Sequence, residues 1–497
     1  MLAGSTSSKM TIHSDYVKIL KKECPGAFTE TLSPELRPDT VFIDGQVKLM
    51  KADDVKTWTV FLNVMFFKTI ERCFNHGARV VVLGFDDYTY VPKSKTMTQV
   101  KRNKTVPVLK FGETDHLPAY MPDDWGSAMR NRTFKVKVIH KILHETNKWF
   151  LEQVRRDPSW HARTLVLDFQ KRPLVLFAGG PAIRREAAGG GLHTEFQGGV
   201  SSGAELDACL PPADSVSWQG RGECDVKAFF WMQYSRRLLL VSTDGDFVPL
   251  AMLQMIRKQE AQNLDAAQKT CEVFLFRLRT KPDGAEEQSG KRQCIAINSE
   301  DGSKTTYKKG REYEFVHISK LLTCIERLMP SRVQSPVDQF CTLVALSGCD
   351  FAMNLPRLGP RTIWKLRHRL ANLDLSQPAQ LLCAIAILYW DTFVMKNTLP
   401  TGMNNSTQFF GLLTEGGVQG HYRSIIHRIK EMKSLSPRIK IVLWDTERAY
   451  AHSLNIIWTL SYWNRLNEYP DPHSQNYGYV LDSKGVTHFA FVPQQTT

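Results

Sequence analysis

The stretch Leu238-Leu-Leu-Val-Ser-Thr-Asp-Gly-Asp246, followed by Phe247-Val-Pro-Leu-Ala251, decides how the rest of the chain is read. An apolar run this short, bounded by turn residues, predicts a buried strand rather than a helix. In an open α/β sheet, ligands sit just outside the carboxyl ends of the strands. Asp244 and Asp246 are therefore expected at a strand rim, with Gly245 allowing a sharp turn between them. The same three letters also make an ordinary turn. The distinction rests on whether other strands carry acids to the same edge.

Several do. Val41-Phe-Ile-Asp44 predicts a first strand ending in an acid, and Arg79-Val-Val-Val-Leu-Gly-Phe-Asp86 a second. Between them, Asp53 or Asp54 is expected to cap a helix running to about residue 74, which His76 and Gly77 close. Strand, helix, strand with short connections is the parallel βαβ pattern. A long helix is expected over 134–156, and strands over 164–168 and 173–177. Asp168 also ends an apolar run and is read as a surface turn. Glu223-Cys-Asp225 opens a helix through Tyr234 that leads into the 238–246 stretch. A further strand is expected over 271–277, and helical patterns from near Tyr313 to about Trp463.

With 497 residues, the chain has room for two or three domains. A net charge of +14 points towards a polyanionic partner. None of the ten cysteines forms a Cys-x-x-Cys pair, which gives no support to zinc ribbons or redox motifs and suggests a reduced intracellular protein. No apolar signal core opens the chain, and the longest apolar run, 381–390, is too short to cross a bilayer. No membrane partner is expected.

The chain divides into a polar, poorly ordered segment over 1–38, with a short helix around 16–22, an α/β core over 39–370, and a largely helical C-terminal extension over 371–497. Gly- and Pro-rich residues 178–221 and polar residues 281–312 are expected to be loop insertions. Residues 88–112 contain no acid but hold Lys93, Lys95, Lys101, Arg102, Lys104 and Lys110. That run is either a solvated basic loop or, placed directly after a rim acid, a phosphate contact. Trp458, Tyr462 and Trp463 in the extension are read as core rather than as a base-stacking surface.

Asp44, Asp86, Glu223, Asp225, Asp244, Asp246 and Asp350 all lie at expected strand or helix ends. Seven acids on one rim repel one another and raise one another's pKa values. Such a cluster is stable only with cations. Oxygen donors without His or Cys favour Mg²⁺ or Mn²⁺. Two ions roughly 4 Å apart would activate water and stabilise the leaving oxygen of a phosphodiester. Residues i and i+2 do not share a helix face, so Glu223 and Asp225 serve one site only from a helix start or through water.

These residues resemble the flap-endonuclease/XPG-type family of 5′ nucleases within the PIN-like fold. The matching pieces occur in order: Phe42-Ile-Asp44, Phe85-Asp86, Glu223-Cys-Asp225, Asp244-Gly-Asp246 and Ser347-Gly-Cys-Asp350-Phe. The resemblance implies a PIN-like, mostly parallel sheet flanked by helices, with a helix–hairpin–helix-like segment over 343–370. It also implies a two-ion Mg²⁺ or Mn²⁺ site on the seven acids, acting with Asp44 and Asp86 as catalytic acids. Lys93, Lys101 and Arg102 fall where the family's arch clamps the scissile phosphate. Lys95, Lys104, Arg357, Gly359, Arg361 and Lys365 fall on its nucleic-acid track.

Three departures mark a divergent member: the Met-Gly start is absent, Arg357 replaces the hairpin's first glycine, and Asp246 and Asp350 are far apart. Gly222-Glu-Cys-Asp-Val-Lys and the aromatic tail Trp458-Thr-Leu-Ser-Tyr-Trp463 also resemble 5′→3′ exoribonucleases, and viral shutoff endoribonucleases share the fold. The expectation is a structure-specific DNA nuclease of replication and repair, in the nucleus. RNA is the alternative polymer, and an inactive nucleic-acid-binding scaffold the alternative class. Protein partners are not indicated.

Overall fold

Short β-branched and leucine-rich runs, apolar at successive positions, favour strands buried on both faces. In the computed structural model they form an eight-stranded sheet of order β1-β10-β7-β6-β2-β3-β4-β5. The strands are β1 (Phe28–Thr29), β2 (Thr40–Asp44), β3 (Val80–Gly84), β4 (Thr164–Asp168), β5 (Leu174–Phe177), β6 (Arg237–Val241), β7 (Glu272–Leu278) and β10 (Tyr313–His317); β8 (Ile295–Asn298) and β9 (Lys304–Tyr307) lie outside this sheet. Strands β7, β6, β2, β3 and β4 run parallel, and β1, β10 and β5 are antiparallel to their neighbours. The chain is therefore α/β, with a mostly parallel sheet flanked by helices. Described are residues 8–49, 55–86, 109–169, 174–177, 223–232, 235–242, 245–261, 272–278, 295–298, 304–307, 313–349, 352, 355, 358–389, 391–392, 446–464, 479–481 and 487–489.

Side chains alternate across the sheet, and two cores follow. Phe42, Val80, Val82, Val166, Leu238 and Leu240 face one core, which helices Ser8–Glu23, Cys224–Met232, Phe247–Ala261, Ile318–Leu328, Pro336–Leu346, Pro378–Tyr389 and Thr446–Asn464 complete. Val41, Ile43, Val81, Leu83, Leu165 and Leu167 face the other, under the helical run from Trp58 to Asn75 and the long helix Arg132–Arg156. The first run contains a π-helical turn over Asn63–Phe67 and ends at Gly77, whose φ of 98° is one that side chains rarely adopt. Its cap is Thr57, whose side chain accepts from the Val60 amide. Asp53 and Asp54 lie outside the described residues.

Several expectations need correction. Most of 8–38 is well built: Tyr16, Val17 and Leu20 are buried, and the Tyr16 hydroxyl lies 2.9 Å from the Leu343 carbonyl and 2.8 Å from Ser347 Oγ. Lys21 pairs with buried Glu314. A single apolar helix face, diluted by polar neighbours, hid this docking. Tyr313–His317 is an edge-side strand rather than the start of a helix, in keeping with its β-branched and aromatic content. Within 281–312, Ile295–Asn298 and Lys304–Tyr307 pair as a separate hairpin.

Within the C-terminal region Trp458, Tyr462 and Trp463 are fully buried in the first core, as their density suggested, and Tyr389 is buried with them, so these helices are part of the main core. Nor are all the cysteines free. Cys24 and Cys324 form a disulfide, 300 residues apart in sequence but 6.1 Å apart at Cα. Residues 178–221 lie outside the described residues. Among the described residues no helix is long and apolar enough to cross a membrane.

Candidate active site

Strand register sets the geometry. Asp44, Gly84 and Asp168 lie in one row across β2, β3 and β4, and Val241 of β6 pairs with Ile43. Ser242 therefore emerges beside Asp44. Asp44 and Asp168 stand two strand spacings apart, roughly 10 Å.

Asp44 is buried, at 5 % exposure. Ser242 Oγ–H donates to Oδ2 at 2.8 Å, and the Gln46 and Val47 amides donate to Oδ1 at 3.0 and 3.3 Å. Among the described residues no Lys, Arg or His pairs with it. Burial, and then the Asp86 carboxylate, push its pKa up to about 6. The hydrogen bonds only partly offset that rise. Gly45 lets the Phe85 ring lie against the backbone just after Asp44, where a Cβ would collide with it. That close approach sets the next residue, Asp86, near Asp44.

The 224–232 helix arrives at this corner by its N-terminus. The Cys224 amide donates to Asp86 Oδ1 at 2.9 Å, the usual placement of an anion at a helix start. Asp225 occupies the first turn and accepts from the Val226 amide. The Cys224 thiol is buried among Asp44, Asp86 and Asp225. Desolvation, then Asp44 and Asp86, raise its pKa well above that of an ordinary thiol, so it stays protonated. Glu223, 2 % exposed, immediately precedes the helix and accepts from the Tyr462 hydroxyl at 3.1 Å. Both acids lie at a helix start, the position their i, i+2 spacing requires of them if they are to serve one site. Asp246 is half-buried immediately before the 247–261 helix.

The neighbouring rim acid has a different environment. Asp168 is not a surface turn: it is 5 % exposed, and Lys227 Nζ lies 3.1 Å from its Oδ1. The Trp231 indole donates to Oδ2 at 3.2 Å. Lys227, 1 % exposed, also donates to the Phe85 and Phe169 carbonyls at 2.8 and 2.6 Å. One ammonium thereby fastens the acid-bearing helix across the ends of β3 and β4. Ser242, Lys227 and Tyr462 were not among the site residues expected from sequence, and Tyr462 was read as core. Only Lys227, a charge inside the apolar helix Cys224-Asp-Val-Lys-Ala-Phe-Phe-Trp-Met232, leaves a visible signal.

The structure places Asp44 and Asp86 at one corner, with Glu223 and Asp225 at the start of the adjoining 224–232 helix and Asp246 at the start of the 247–261 helix. Asp244, Asp350, Lys93, Lys95, Lys101, Arg102, Lys104 and Arg357 lie outside the described residues. Gly348, at φ 104°, ends the 336–346 helix just ahead of the Cys349-Asp350 pair. Gly359 caps the helix Pro360–Leu366, which carries Arg361 and Lys365 exposed on one face.

The donor chemistry suits a hard divalent cation: oxygen ligands, with a buried carboxylate whose charge a neighbouring acid disfavours. Among the described residues, however, no three His, Cys, Asp or Glu side chains are grouped to hold an ion. No protein-family model matches the chain. No curated protein matches it either.

Proposed function

We propose that the chain is a divalent-metal-dependent nuclease of the flap-endonuclease type on a PIN-like fold, with DNA as the favoured substrate. One observation carries this reading. Asp44 is buried at the carboxyl edge of a parallel sheet with Asp86 beside it, and no basic side chain among the described residues neutralises it. A protein gains nothing structurally from two adjacent carboxylates held this way. A bound cation relieves the repulsion.

Asp44, Asp86 and Asp225 would hold the ions, joined by Asp246, Glu223 and the acids at 244 and 350. Bound Mg²⁺ or Mn²⁺ supplies the positive charge that activates water and stabilises the leaving oxygen. The protein's own residues do the positioning. Ser242 and the Gln46 and Val47 amides orient Asp44, the Cys224 amide orients Asp86, and Lys227 holds the helix that presents Asp225. Lys93, Lys101 and Arg102 are the groups proposed to hold the scissile phosphate.

The test is a cleavage assay with Mn²⁺ or Mg²⁺ on end-labelled 5′-flap DNA, nicked duplex, single-stranded DNA and 5′-phosphorylated RNA. Cutting at the flap junction, lost by about 10²- to 10³-fold in Asp86→Asn and Asp244→Asn, is the expected result, the size of loss typical when one charge-stabilising group is removed from an active site. Stepwise loss of RNA from its 5′ end would move the protein to the exoribonuclease branch. No metal-dependent cutting of any substrate would leave a nucleic-acid-binding scaffold as the better description.

A further inference from the structure

The helix Thr446–Asn464 carries Tyr462, 239 residues downstream of Glu223, to the start of the acid-bearing helix. Tyr462 is fully buried, and its hydroxyl donates to Glu223 Oε2 at 3.1 Å. Its ring stacks on Trp458 with centroids 5.5 Å apart and planes 2° from parallel, which fixes the direction of the hydroxyl. The same helix is tied to the helix that follows Asp246. Gln254 Nε2 donates to the Trp463 carbonyl at 2.8 Å, and Arg257 Nε to Asn464 Oδ1 at 3.1 Å.

We infer that Tyr462 is a positioning residue for the acid site. Its hydroxyl holds Glu223 in the orientation from which the carboxylate serves the cation, making residues 446–464 part of the working site. A buried tyrosine needs a hydrogen-bond partner, but any backbone carbonyl would satisfy it. Pairing with a carboxylate at the start of the acid-bearing helix instead gives that carboxylate a fixed rotamer and a charge-assisted bond. Outer-shell partners of this kind typically change metal affinity by about 10- to 100-fold when removed. The inference rests on the nuclease reading above.

The experiment measures Mn²⁺ binding to the full-length protein by electron paramagnetic resonance of free Mn²⁺, with melting temperature recorded in the absence of metal. Tyr462→Phe keeps the ring and its stack and removes only the donor. We expect about 10-fold weaker Mn²⁺ binding. The turnover rate should fall at low Mn²⁺ and recover at high Mn²⁺, with an unchanged KM for the nucleic acid. Trp463→Phe, a packing change on the same helix, should lower the melting temperature while leaving the Mn²⁺ midpoint in place. In a Glu223→Gln background, Tyr462→Phe should have no further effect on the midpoint.

If the wild-type protein binds Mn²⁺ and Tyr462→Phe binds it equally well, the inference is overturned and the nuclease reading stands. Equal weakening by Trp463→Phe would overturn it too, by showing that packing alone sets the affinity. If the wild-type protein binds no Mn²⁺, the nuclease reading fails first and takes the inference with it.

Discussion

Asp44 and Asp168 come from the same kind of sequence, a five-residue strand of Thr, three apolar residues and Asp, and occupy the same row of the same sheet at the same 5 % exposure. Their surroundings are opposite. Asp168 has an ammonium at 3.1 Å and an indole donor at 3.2 Å. Asp44 has a hydroxyl, two backbone amides and another acid. A buried carboxylate needs paired charge or it tends to take up a proton. At Asp168 the protein supplies that charge itself, so the acid is structural. At Asp44 no basic side chain among the described residues supplies it, and that is the charge the proposed cation would bring. Position on the rim does not distinguish the two acids. The neighbouring cation does.

That contrast can be broken in three ways. The largest effect is expected at the built-in pair. Lys227→Met leaves Asp168 buried without its cation and should lower unfolding free energy by about 3–5 kcal/mol in chemical denaturation. Adding Asp168→Asn should recover part of the loss, since removing both charges is far less costly than stranding one. A loss below about 1 kcal/mol in the single variant would show that the pair does not hold the helix.

A smaller effect is expected at Asp44, with a sign set by pH. In metal-free protein its folded pKa of about 6 exceeds the ordinary 3.8. The native state therefore binds more protons than the unfolded state between those values, and stability falls as pH rises through that window. Asp44→Asn should gain on the wild type by up to about 3 kcal/mol between pH 4 and pH 7. Parallel denaturation curves at the two pH values test this. An unchanged difference would mean that Asp44 is compensated by a group it does not touch here.

The smallest shift is the most discriminating. Mn²⁺ at a hundred times its Kd should stabilise the wild type by about 2.7 kcal/mol. Asp44→Asn should lose that increment. Asp168→Asn, although less stable at the outset, should keep it. If both variants retain the increment, the cation binds elsewhere.

Much of this arrangement is legible in the chain. The runs ending at Asp44, Gly84, Asp168 and Val241 are strands because apolar, β-branched side chains at successive positions favour a sheet covered on both faces. The start of the 224–232 helix at Glu223-Cys-Asp225 was visible too. The N-terminal helix was expected only as a short one around 16–22, and its burial was not, because the cluster Tyr16, Val17 and Leu20 is outnumbered by polar and charged neighbours in the linear sequence. The strand at Tyr313–His317 was missed because the apolar pattern continues without a break into the helix that follows.

The amino-acid sequence by itself determined which segments become strands and which acids reach their carboxyl ends, since hydrophobic periodicity and turn chemistry act over a few residues. Only the tertiary structure decided what surrounds each acid. Asp168 meets Lys227 across 59 residues, Asp44 meets Ser242 across 198, and Glu223 meets Tyr462 across 239. The charge state and orientation of a buried carboxylate depend on the groups within a few ångströms of it. The packing of distant helices on one sheet chooses those groups.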